Sequence, residues 1–149
     1  MTNDVITAGE FWSKDGFDRT QYLKGLDEAG KEKHLEVLSD NMKIDIPFAG
    51  EKQSFRLTLE MISELEECTG LGIGALYQRV ISSVANASEI VNIIKFGLMG
   101  GGADPKRAAD MIERFIPITP INNLSDVAFT IMNVAMYGKE KALALEAEA

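Results

Sequence analysis

The chain has 149 residues, 46% of them hydrophobic, a formal net charge of −8 and one cysteine. A length of this order buries roughly 68–70% of the unfolded surface, enough for one domain with a real core. The excess of carboxylates excludes phosphate-backbone binding as the main activity, because such binding needs clustered Lys and Arg.

Cys68 is the sole cysteine, so no intrachain disulfide can form and a reducing compartment suits the chain. The sequence does not open on a basic stretch followed by an apolar one, and no apolar run approaches ~18 residues. Neither a signal peptide nor a membrane span is expected, and the expected location is the cytoplasm.

Residues 1–40 read as a polar N-terminal arm, partly disordered or weakly helical. Gly25 and Gly30 would each weaken a helix there by about 1 kcal/mol relative to Ala. Two readings stand. One is a mobile or loosely docked arm. The other is a recognition segment with Phe11, Trp12 and Phe17 as aromatic anchors for a partner.

Residues 41–138 read as the main domain. Met42, Ile44, Ile46 and Phe48 alternate with polar residues and Pro47; beyond Ala49–Lys52, Phe55, Leu57 and Leu59 alternate again. This pattern predicts a β-hairpin with one buried face, Pro47 lying at an edge or a strand end. The period then becomes helical. Met61, Ile62, Leu65 and Cys68 form one stripe, with Thr58 as N-cap and Gly70 as C-terminal stop. Ile73, Leu76, Tyr77, Val80, Ile81 and Val84 form a second. Asn86 and Glu89 resemble a capping box before Ile90, Val91, Ile94 and Leu98.

Gly100, Gly101 and Gly102 then read as a hinge, where positive φ costs nothing for glycine. Asp104 caps the next helix, Pro105 takes its first position, and Pro117 ends it. Leu124, Val127, Ala128, Ile131, Val134 and Ala135 mark a last core helix. Residues 139–149 are expected as a helical or frayed tail. The fold class is therefore α+β, mostly α: an N-terminal β-hairpin packed on about five short helices, preceded by the arm.

The chemistry-bearing residues form no catalytic set. Gly70–Gly74 and the glycine triplet lack the remainder of a phosphate-binding loop. Glu60, Glu64, Glu66 and Glu67 read as a solvated helix face, with no histidine beside them. Cys68 reads as a small buried hydrophobe and His34 as unpaired with it. No catalytic residue, cofactor or metal site is expected, and the chain is not read as an enzyme.

Four motifs in order carry a family resemblance: RLTLEMISELEECTG (Arg56 to Gly70), GLMGGG (Gly97 to Gly102), PKRAADMIERFI (Pro105 to Ile116) and DVAFTIMNVAMYG (Asp126 to Gly138). They resemble the small tail proteins of gene transfer agents and siphophage-like tail modules, described as tail assembly chaperones. The resemblance implies a non-enzymatic protein that binds the phage tape measure protein, helps recruit tail tube protein, and forms homo-oligomers as an option. It implies no nucleic acid or membrane partner. The alternative it leaves open is a structural tail component: a tube, adaptor or connector subunit. Tube subunits are normally rich in strands, so a mostly helical chain favours the chaperone.

Overall fold

The computed structural model describes residues 5–13 and 15–148. Among them the order is three helices, one hairpin and six further helices: α1 (Ala8–Trp12), α2 (Arg19–Lys24), α3 (Glu28–Asp40), β1 (Ile44–Phe48), β2 (Glu51–Phe55), α4 (Leu59–Thr69), α5 (Ile73–Ile81), α6 (Ala87–Gly100), α7 (Pro105–Phe115), α8 (Ile121–Tyr137) and α9 (Lys139–Glu148). A single 3₁₀ turn, Ile116–Ile118, joins α7 to α8 through Pro117. The fold is α+β and mostly α.

The hairpin is antiparallel, with Ile44 opposite Phe55, Ile46 opposite Gln53 and Phe48 opposite Glu51. Its loop is Ala49–Gly50, with φ of +58° and +85°. Two successive left-handed residues match the right-handed twist of the flanking strands. Ile44, Phe48 and Phe55 are buried, and the rings of Phe48 and Phe55 meet edge to face at 6.0 Å. The strand ends sooner than the alternation predicts. Leu57 is buried beyond its end, and Leu59 opens α4 with 80% of its surface exposed. Thr58 decides this: its side chain accepts from the Met61 amide at 3.2 Å, which caps a helix where the alternation would extend a strand.

Helix α6 is the centre of the core. Ile90, Ile93, Ile94, Phe96, Gly97 and Leu98 are buried, and α4, α7, α8 and β2 all pack on it. A helix apolar on most sides is what a central position requires. Asn86 and Glu89 form the capping box at its start. From α8, Leu124, Ala128, Ile131, Met132 and Val134 complete the core.

Two expectations fail locally. Cys68 is exposed, not buried: α4 buries Leu65 alone, and the stripe rolls out to solvent by its last turn. Val84 does not extend the α5 face, because α5 ends at Ile81. Ser83 turns left-handed (φ +58°), and the Val84 amide bonds back to the Arg79 carbonyl at 2.9 Å. That is a Schellman ending built on a serine.

Candidate assembly surfaces

The glycine triplet sits where α6 meets the strand. Gly100 is the last residue of α6 and Gly101 keeps right-handed helical angles (φ −80°); only Gly102 has positive φ, at +118°. The amides of Gly102 and Ala103 bond back to the carbonyls of Met99 (3.2 Å) and Leu98 (3.0 Å), so the helix ends in a second Schellman motif. The first two glycines serve a different need. A Cβ on Gly100 would overlap the Arg56 carbonyl, and one on Gly101 the Ser54 carbonyl. One turn earlier, the Gly97 carbonyl accepts from the Arg56 amide at 2.9 Å. The glycines let helix and strand backbones touch. The expected hinge is a close-packed seam, with freedom of φ needed only at Gly102.

Asp104 and Pro105 start α7, with the Asp104 carboxylate accepting from the Arg107 amide at 2.8 Å. Both are exposed, as is Pro117. These residues shape the chain between α6 and α8 and gather no chemistry around them.

Polar links fix the helices that carry the outer faces. Arg79 Nε donates to both Glu89 carboxylate oxygens, at 3.0 and 2.9 Å, tying α5 to the start of α6. The hydrogen bond to Glu89 raises the Arg79 guanidinium further above its ordinary value, so it carries charge throughout. The Tyr77 hydroxyl donates to Asn133 Oδ1 at 2.8 Å, joining α5 to α8 in the interior. Burial pushes the Tyr77 phenol up, and the neighbouring Tyr137 hydroxyl adds to the rise.

The three aromatic anchor candidates are brought together but used differently. Phe11 is buried at the centre of a cluster with Trp12, Phe17, Tyr22 and His34, its ring 4.5 Å from the imidazole. Phe17 is half-buried against Tyr22. Trp12 is 61% exposed, with the Arg19 guanidinium 5.8 Å from its ring centre. It overhangs a cleft of about 330 Å³ bounded by Leu38, Met42, Met136 and Tyr137. His34 is sealed inside the N-terminal cluster, and among the described residues neither of its ring nitrogens has a hydrogen-bond partner.

A second surface, part apolar and part polar, was only partly legible from periodicity. A cleft of about 340 Å³ lies between α5, α6 and α8, lined by Val80, Ala85, Ile90 and Ile121 together with Ser83, Asn122, Ser125 and Asp126. Ile81, Val84, Ile118 and Ile121 are all exposed, Ile118 by 75%. Ile81 and Val84 were read as core-facing members of a helical stripe, and Ile118 and Ile121, next to Pro117 and Pro120, lay outside any stripe. Among the described residues no cluster of His, Cys, Asp and Glu could hold a metal ion, and no helix is long and apolar enough to cross a membrane.

The sequence model of one protein family, described as phage tail tube protein, GTA-gp10, matches residues 41–138, from the hairpin to the end of α8. No curated protein and no solved structure gives a match. The family description overturns the assembly-chaperone expectation, and the reading left as the alternative replaces it. The shortage of strands, which had favoured a chaperone, is a weak discriminator, since helical faces can join subunits as well as strand edges can. The chain belongs to the GTA-gp10 family of phage tail tube proteins.

Proposed function

We propose that the chain is a structural subunit of a phage or gene-transfer-agent tail, present in several copies and packed against further tail proteins. The family match over residues 41–138 carries this reading. The surface chemistry supports it. Trp12, Tyr137, Ile81, Val84, Ile118 and Ile121 are exposed apolar groups of the kind that anchor protein contacts.

Among the described residues the sheet has two strands, so neighbouring copies would join through side-chain faces more than through strand addition. The role is mechanical: the chain presents surfaces and transfers no group. Incorporation tests it. Ile121→Asp places a charge on the cleft between α5, α6 and α8 while leaving the core intact. The variant should fold as the wild type does and enter particles poorly; normal incorporation would remove that face from the account.

A further inference from the structure

A cleft of about 280 Å³ opens where β2 faces the turn between α6 and α7. Lys52 and Gln53 of the strand, Gly101 and Gly102 of the turn, and Arg107 of α7 line it. Both cations are exposed, and neither belongs to the ion pairs found among the described residues, Lys31–Glu28 and Arg79–Glu89. Surface cations without partners are ordinary; a buried amide without one is not. Gln53 is only 6% exposed. Its Oε1 accepts from Arg107 Nη2 at 3.4 Å, a long bond, and its Nε2 has no acceptor among the described residues.

The other polar groups around the cleft are already engaged. Ser54 Oγ donates to Asp45 Oδ1 at 2.6 Å, and Asp104 Oδ1 accepts from the Arg107 amide. The Gly101 and Gly102 amides bond back to the Gly97 and Met99 carbonyls. Glu51 and Asp110 lie with Arg107 on an adjoining cleft and form no ion pair with it. What remains is a set of donors: the Lys52 ammonium, the rest of the Arg107 guanidinium and the Gln53 amide. Such a set calls for a ligand that only accepts, a carboxylate or a phosphate.

Size and charge choose between them. The volume falls below that of ordinary small-molecule sites and suits one side chain. A chain of net charge −8 repels polyanions, and two cations are few for a phosphate backbone. We infer that the cleft is a carboxylate site, filled in the assembled tail by an Asp or Glu side chain of an adjoining tail protein. The source of the carboxylate rests on the reading of the chain as a packed structural subunit; the site itself does not. Entry draws Arg107 off its long bond to Gln53 and uncovers the amide, which then gains the acceptor it lacks.

Titration of the isotope-labelled full chain with sodium acetate tests the site, read by amide NMR shifts at constant ionic strength in sodium chloride. Acetate should move the Lys52, Gly101 and Gly102 amides and the Gln53 side-chain amide together, and the shifts should saturate. In Lys52→Gln/Arg107→Gln the apparent affinity should fall by about tenfold or more. Gln53→Met should also weaken acetate, without lowering the unfolding midpoint, because it removes a buried donor that has no partner. Shifts that do not saturate, or that the double variant keeps, overturn the site. Sodium phosphate moving the same amides at lower concentration than acetate overturns the carboxylate assignment. Incorporation into particles tests the source: the double variant should enter poorly, and wild-type entry overturns the partner side chain. A wild-type chain that binds acetate but never enters particles overturns the structural role and leaves the site standing.

Discussion

At the scale of single residues, the glycines and one serine make the sharpest claims. If backbone angles were all that mattered at Gly101, alanine would be harmless there, since its φ is −80°. The contact geometry predicts otherwise. Gly100→Ala and Gly101→Ala each press a methyl into a strand carbonyl that cannot yield without moving the sheet, and should cost about 3 kcal/mol, the upper end for overpacking. Gly102→Ala meets no atom but adopts a left-handed φ, and should cost about 1–2 kcal/mol. Denaturant unfolding of the three variants checks the ranking; the reverse order would restore the hinge. Ser83 makes the opposite prediction. Its left-handed turn is strained for serine, and Ser83→Gly relieves that strain while adding freedom to the unfolded chain. The net should be a gain of about 0.5–1 kcal/mol, read as a higher unfolding midpoint.

At the scale of elements, the account turns on how α5 and α8 hold to α6. Truncating Ile93 or Ile94 to Ala, both fully buried on α6, should cost about 2–5 kcal/mol in the same unfolding assay. The Tyr77–Asn133 bond gives a pH signature. Because the Tyr77 phenol is raised in the folded state, first by burial and then by Tyr137, the folded form favours the neutral hydroxyl. Its contribution is fully present below the ordinary phenol value of about 10 and is lost as pH rises through the higher folded value. The stability gap between wild type and Tyr77→Phe should therefore be constant near neutrality and shrink above about pH 10. A gap that widened with alkali would contradict the assignment.

Much of this scale was legible in the sequence. Thr58, Gly70, Asn86, Glu89, Asp104 and Pro105 all act in the caps that their side chains suggest, because capping is local chemistry that three or four residues settle. The failures are tertiary. Whether Cys68 faced in or out depended on how far α4 lies across α6. The use of Gly100 and Gly101 depended on a strand more than forty positions earlier. The burial of Phe11 and His34 in one cluster joined residues of low periodicity, and no stripe announced it. The cleft at Ile121 exists only once α8 has been laid beside α5 and α6.

At the scale of the whole molecule, the claim is that this chain is built into a tail. The resemblance pointed to tail proteins from motifs shared over the main domain, and the family match over 41–138 now describes a tube protein, where a chaperone had been the first choice. Fold alone could not decide between them, since packed helices serve either role. Retention in the finished particle does. Quantitative mass spectrometry of purified, DNA-filled particles should find peptides of this chain in fixed ratio to other tail proteins, at a multiple-copy level. A chain abundant in the producing cells but missing from intact tails would contradict the structural role.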